Sequence, residues 1–133
     1  MGTIRKEVLT LASVEQAWDA VRDVGALHTR LVPGFVVDTR VEPGARVVTF
    51  ANGAVVREVI VTCDDDERRL VWTAEGKLTT HYNSAAEVGV NASGHTVVRW
   101  TSDFLPDSAG EQLDAMMAAG ARAMKLALDA LAG

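Results

Sequence analysis

The sequence predicts an α+β fold in which an antiparallel sheet of about seven strands packs on one long C-terminal helix. Residues 35–105 alternate apolar and polar side chains between short turn signals, which is typical of strands with one buried face. The last segment instead has apolar residues at spacings of three and four. A length of 133 residues fits one domain, 1–133.

One strand and two short helices are predicted before the sheet proper. Residues 3–12 alternate enough to form the first strand. Ser13 and Gln16 have the spacing of a capping box, so a helix begins there, and its apolar stripe buries Trp18. A second helix, residues 24–31, ends before a Pro-Gly pair because the residue preceding proline disfavours helix.

Six further strands are predicted to form a continuous antiparallel meander. In the first of them Val37 and Val41 share an apolar face with Phe35. Asn52-Gly53 predicts a tight hairpin, because both central residues tolerate positive φ. The predicted strands are residues 35–42, 47–51, 55–63, 70–74, 78–90 and 96–105.

The C-terminal helix is predicted from a second capping-box spacing and a long apolar stripe. Ser108 and Glu111 stand at its start. At about 1.5 Å per residue the helix is on the order of 35 Å long, enough to cross the sheet. The stripe contains Leu113, Met117, Gly120, Met124, Leu128 and Leu131.

Composition excludes several classes of protein. Thirteen basic and 18 acidic residues give a net charge of −5, and no segment collects Lys or Arg, so we expect no nucleic-acid partner. The single cysteine excludes an internal disulfide, and no apolar run reaches the roughly 18 residues of a membrane span. We expect a cytoplasmic protein that is a monomer or homodimer and does not insert into membranes.

Neither a metal site nor a cofactor is predicted. His28, His81 and His95 fall on a helix, a strand and a turn, without the spacing of metal ligands. The nucleophile-elbow, phosphate-loop and dinucleotide-binding motifs do not occur.

Four segments in a fixed order carry a family resemblance: residues 14–18 (VEQAW), 56–58 (VRE), 64–70 (DDDERRL) and 96–100 (TVVRW). They resemble the START-related superfamily, also called SRPBCC, and within it the polyketide cyclase/dehydrase and lipid transport branch. The resemblance covers nearly the whole chain. It implies a helix-grip fold, in which a curved sheet and the long helix enclose a cavity for an apolar or amphipathic small molecule.

Residues 80–84 (THYNS) are also similar to the plant abscisic-acid receptors. That resemblance implies that Glu58, Tyr82 and Ser84 direct polar groups into the pocket. Residues 76–78 (GKL) depart from the receptors' gate and latch pattern, so hormone sensing is not implied.

Strand alternation independently predicts which side chains face the cavity. Tyr82 and Ser84 lie in one row with Ala86, so they are expected to point inward. If a bulge shifts the register, His81 and Asn83 enter the cavity instead.

Glu58 is the most informative polar residue, because alternation places it between two β-branched residues of an inward row. Desolvation favours the neutral form of a carboxyl group, which suits it to proton transfer. Three alternatives stay open for Glu58: it lines the pocket, pairs with a nearby arginine, or faces solvent through a bulge. The catalytic residues are unknown, and the candidates are Glu58 and His81.

The predicted ligand-binding residues share a position between the helix and the sheet. The two tryptophans of the set either clamp a flat ligand or belong to the core, and the facing of Trp72 stays open. The methionines suit an adaptable cavity wall and an ordinary core equally. The set is Glu58, Trp72, Tyr82, Ser84, Trp100, Met117, Gly120 and Met124.

The sequence therefore favours binding of a hydrophobic or amphipathic small molecule in a cavity between the C-terminal helix and the sheet. The alternative is a cofactor-independent enzyme resembling a polyketide cyclase or dehydratase, which acts on a flexible carbonyl-containing substrate by general acid/base chemistry. A third possibility is a protein-binding domain whose cavity is filled by side chains.

Overall fold

The predicted helix-grip fold is confirmed by the computed structural model, which describes residues 1–132. A seven-stranded antiparallel sheet in the order β1-β7-β6-β5-β4-β3-β2 packs against α2. The elements are β1 (Gly2–Thr10), α1 (Val14–Arg22), β2 (Val36–Glu42), β3 (Ala45–Phe50), β4 (Val55–Asp64), β5 (Arg69–Glu75), β6 (His81–Val90), β7 (Thr96–Leu105) and α2 (Gly110–Ala132).

Helix α1 begins at the predicted capping box. The Ser13 hydroxyl accepts a 3.0 Å hydrogen bond from the Gln16 backbone, and the Gln16 amide oxygen accepts one of 2.9 Å from the Ser13 backbone. Trp18 is buried, and its indole Nε1 donates to Asp65 at 2.9 Å. Arg22 also donates to that carboxylate and, with Trp18, lowers the pKa of Asp65. The turn between β4 and β5 is therefore tied to α1.

The predicted second helix is present, but it consists of two short turns rather than one α-helix. Val24–Ala26 form a 3-10 turn and Leu27–Leu31 a π-helical turn. The Val32 N–H donates to the Leu27 carbonyl, five residues back, at 2.9 Å. The wider turn buries both Leu27 and Leu31.

The prediction that Val37 and Val41 lie on an apolar face of β2 is wrong. The register against β3 shifts between Val36 and Asp38, so the alternation that begins at Phe35 is broken. Val36 is buried, whereas Val37 and Val41 are 53% and 59% exposed. Because β2 is an edge strand, only its first residue reaches the core.

The hairpin at Asn52-Gly53 forms with a different turn from the predicted one. Only Gly53 has positive φ, at 89°, and the Phe50 N–H donates to the Ala54 carbonyl across a three-residue loop. This loop sets the register that places Arg46 opposite Glu58.

Strand β6 and helix α2 begin later than predicted. Strand β6 starts at His81, and α2 starts at Gly110 after a 3-10 turn that contains Ser108. Ser108 is therefore not the residue that caps the α-helix. The predicted stripe faces the sheet except at its end, where Leu131 is exposed; its buried members are Leu113, Met117, Gly120, Met124 and Leu128. None of the helices in residues 1–132 has the length and apolarity needed to cross a membrane.

Candidate functional site

An inner cavity of about 90 Å³ lies between α2, the π-helical turn and the sheet. Apolar side chains form most of its wall, to which α2 contributes three methionines and the sheet two tryptophans. The lining includes Leu31, Phe35, Trp72, Trp100, Met117 and Met124.

An outer pocket of about 580 Å³ lies at one end of the cavity. Its walls come from the β3–β4 hairpin, from residues 74–79 at the end of β5 and just after it, and from the first turns of α2. The two spaces share part of their lining, so the inner cavity adjoins the outer pocket. The shared residues are Phe50, Glu58, Tyr82, Leu113 and Met116.

A buried ion pair stands in this apolar wall. Arg46 and Glu58 face each other across β3 and β4, and Arg46 Nε donates to Glu58 Oε1 at 2.7 Å. Their side chains are only 2% and 9% exposed. The Arg46 guanidinium also lies 5.3 Å from the centroid of the Trp72 ring, within the range of a cation–π contact. Among residues 1–132, Arg46 and Glu58 are the charged side chains that line the inner cavity.

One oxygen of Glu58 and one nitrogen of Arg46 are not used by the ion pair. Arg46 Nη1 donates weakly to the Val24 carbonyl at 3.4 Å, but Arg46 Nη2 and Glu58 Oε2 have no hydrogen-bond partner within residues 1–132. Within residues 1–132, every side-chain nitrogen or oxygen that is inaccessible to solvent has a hydrogen-bond partner. These two atoms therefore keep some accessible surface, and both residues line the inner cavity.

A chain of hydroxyl groups runs behind the cavity wall and ends at Tyr82. The Trp100 indole donates to Ser84 Oγ at 2.7 Å, Ser84 Oγ lies 2.8 Å from Ser102 Oγ, and Ser102 Oγ lies 2.8 Å from the Tyr82 hydroxyl. Burial raises the pKa of Tyr82, although both serines oppose the shift. The phenol therefore stays protonated at neutral pH.

Six of the eight sequence-predicted ligand-binding residues line the inner cavity: Glu58, Trp72, Tyr82, Trp100, Met117 and Met124. Ser84 faces inward as predicted but is fully buried, and its hydroxyl is engaged by Trp100 and Ser102. Ser84 is therefore set behind the wall rather than in it.

Gly120 also lies outside the lining, at a point where α2 packs against two aromatic rings. A Cβ at this position would lie 3.0 Å from Trp100 Cζ3 and 3.1 Å from Phe35 Cε2. Gly120 therefore allows α2 to approach the two rings closely.

The alternative in which His81 and Asn83 enter the cavity is wrong. Strand β6 pairs with β5 and with β7 without a register shift, so the alternation runs unbroken. His81 is exposed, and its Nε2 lies 2.7 Å from Asn83 Oδ1 on the outer face. Asn83 in turn donates to Asp103 at 3.0 Å. His81 therefore lines neither pocket, and this position argues against it as a catalytic residue.

Sequence reasoning missed Arg46. The signal for it was alternation in β3, where Arg46 falls in one row with Val48 and Phe50, and all three point inward. Glu58 both lines the cavity and pairs with an arginine, so two of the three alternatives for this residue are true at once.

Residues 1–132 contain no group of three or more His, Cys, Asp or Glu side chains placed to hold a metal ion.

The family model for polyketide cyclase/dehydrase and lipid transport matches residues 1–133. The chain belongs to this family. None of the curated proteins matches it.

Several solved structures of bacterial proteins have the same fold as this chain. XoxI from Bacillus cereus is 18% identical, with a TM-score of 0.85 over 96% of each chain. An uncharacterised protein from Bacillus thuringiensis is also 18% identical, with a TM-score of 0.85 over 96% of this chain and 98% of that one. A protein from Thermobifida fusca is 27% identical, with a TM-score of 0.72 over 99% of this chain and 91% of that one. The likeness to the first two concerns the fold alone.

Proposed function

We propose that this protein binds a hydrophobic or amphipathic small molecule in the space between α2 and the sheet. The adjoining inner cavity and outer pocket carry the proposal, because an apolar space next to a mouth of about 580 Å³ admits a ligand from one end. The empty inner space argues against a protein-binding domain whose cavity is filled by side chains. Membership of a family described by lipid transport supports the same function.

The proposal is tested by native mass spectrometry of freshly purified protein, with uptake of an apolar dye as a second measurement. Wild type is expected to carry a small-molecule adduct that is lost on denaturation. Ala86 lines the inner cavity, so Ala86→Leu is expected to fill it and to abolish both the adduct and dye uptake.

Ala85→Leu is the matched control, because Ala85 is the adjacent residue of β6 and points to the opposite face. It is expected to bind as wild type does. If wild type carries no adduct and takes up no dye, or if Ala86→Leu binds as well as wild type, the proposed function is wrong.

The enzyme alternative depends on a group that moves a proton, and the contacts of Glu58 argue against that role. Glu58 Oε1 already accepts a 2.7 Å hydrogen bond from Arg46 Nε, so this oxygen is not free to take a proton from a substrate while the ion pair is intact. Once a ligand is known, Glu58→Gln is expected to change its affinity by about tenfold, roughly 1.4 kcal/mol. A fall in turnover of about 10²- to 10⁴-fold at preserved affinity would instead identify Glu58 as a general base.

A further inference from the structure

The charges that face the inner cavity sum to zero. Arg46 contributes one positive charge and Glu58 one negative charge, and within residues 1–132 no third charged side chain lines this space. The pair is almost completely removed from solvent, with side chains 2% and 9% exposed. A charged ligand group placed here would meet one opposite charge and one like charge at nearly the same distance.

That arrangement disfavours both signs of ligand charge. A carboxylate near Arg46 lies beside the Glu58 carboxylate, and an ammonium near Glu58 lies beside the Arg46 guanidinium. In either case the ligand loses its hydration, and the attraction is largely cancelled by repulsion at short range. An uncharged polar group avoids this cost.

The atoms left free by the ion pair offer one donor and one acceptor. Arg46 Nη2 carries N–H groups, and Glu58 Oε2 accepts hydrogen bonds. The two side chains are joined by the 2.7 Å bond between Nε and Oε1, so the free atoms are close enough to serve one small polar group. Such a group needs an acceptor and a donor on neighbouring atoms, as a carboxamide has.

We propose that the ligand carries an uncharged head group with adjacent hydrogen-bond acceptor and donor, such as a carboxamide, which binds Arg46 and Glu58. The inference rests on the proposed function. The apolar part of the ligand then lies against Trp72 and Trp100, and any longer portion extends past Tyr82 into the outer pocket.

The test compares three probes with the same chain at neutral pH: octanamide, octanoate and octylammonium. Quenching or enhancement of tryptophan fluorescence reports binding, because Trp72 and Trp100 line the cavity, and calorimetry gives the affinities. Octanamide is expected to bind at least about tenfold more tightly than either charged probe. Equal or tighter binding of octanoate or octylammonium overturns the inference and leaves the proposed function standing. If none of the three binds, the proposed function fails and the inference with it.

A charge-changing variant adds a second measurement. Glu58→Gln leaves the Arg46 cation without its partner, so the preference is expected to reverse toward octanoate. The matched control is Glu42→Gln, which removes the same charge from the partly exposed Glu42–Arg57 pair, outside both pockets. That control is expected to keep the wild-type order. An unchanged preference in a folded Glu58→Gln protein contradicts the inference. If Glu58→Gln does not fold, the wild-type comparison decides alone.

Discussion

At the scale of single residues, the wall of the inner cavity is apolar except at Arg46, Glu58 and Tyr82. Burying an ion pair removes two charges from water, and apolar residues of similar volume often stabilise a fold as well or better. Stability alone is therefore a weak reason for a charge pair in this wall. In the proposed binding mode, its free Nη2 and Oε2 atoms instead contact the ligand head group.

Tyr82 is expected to titrate above the ordinary tyrosine range in the folded protein. Burial raises its pKa, whereas an unfolded chain releases this proton near pH 10. Above that pH the unfolded state binds fewer protons than the folded state, so the free energy of unfolding falls as pH rises. Tyr82 is the only tyrosine, so ultraviolet absorbance of its phenolate follows this group alone.

Tyr82→Phe provides the comparison, because it keeps the ring and removes the ionisable group. The variant is expected to lose less stability than wild type above about pH 10. Below that range it is expected to be less stable by about 0.5–1.5 kcal/mol, since the hydrogen bond to Ser102 is lost. If Tyr82 in the folded wild type titrates at the pKa of an unfolded chain, burial does not raise its pKa and the prediction is wrong.

The candidate site was predictable from sequence wherever alternation runs unbroken. Strands β6 and β7 pair without a register shift, so Tyr82 and Trp100 face inward as their rows predict. Alternation gives the face but not the depth. Ser84 lies in the correct row, yet it is fully buried, and its hydroxyl accepts a hydrogen bond from Trp100 on the neighbouring strand.

At the scale of elements, the partner of Glu58 depended on one turn. A two-residue turn at Asn52-Gly53 would place Val47 opposite Glu58, whereas the observed three-residue loop places Arg46 there. Asn-Gly favours a tight hairpin but does not determine its loop length, so the ion pair could not be identified from the sequence. The bulge after Val36 had no sequence signal either, and it turned Val37 and Val41 to solvent.

Gly120 tests how closely α2 must approach the sheet. In Gly120→Ala the new methyl group would press on Trp100 at 3.0 Å and on Phe35 at 3.1 Å, and both rings line the inner cavity. Overpacking typically costs about 1–3 kcal/mol, which meets or exceeds the gain of about 1 kcal/mol in helix propensity. We expect reduced ligand uptake and a loss of stability of up to about 2 kcal/mol, measured by dye binding and denaturant unfolding.

Ala115→Gly is the control for the difference in helix propensity between alanine and glycine, because Ala115 is exposed on the opposite face of α2. It is expected to lose up to about 1 kcal/mol without any change in uptake. A Gly120→Ala protein that is more stable than wild type and takes up ligand equally well would make the glycine incidental to the pocket.

At the scale of the whole molecule, the two ends of α2 have different surroundings. Near its C-terminus, Asp129 accepts hydrogen bonds from the Thr10 hydroxyl at 2.7 Å and the Leu11 backbone at 2.9 Å, and Lys125 donates to the Leu9 carbonyl. These contacts fix that end of the helix to β1. The N-terminal half also contacts β1, where Lys6 donates to Asp114 at 2.8 Å, but around Leu113 and Met116 it borders the outer pocket.

This asymmetry predicts where a ligand slows hydrogen exchange. Under conditions in which amides exchange by local opening, octanamide or the co-purified ligand is expected to protect residues 54–56 and 76–79, which form the mouth. Amides near Asp129 are expected to be unaffected, because no residue of α2 beyond Met124 lines either pocket. Exchange measured by mass spectrometry on Ala86→Leu with the same ligand supplies the control, where no protection is expected. Protection confined to the Asp129 end, or absent from the mouth at saturating ligand, would show that ligands enter elsewhere and that the outer pocket is not the route to the inner cavity.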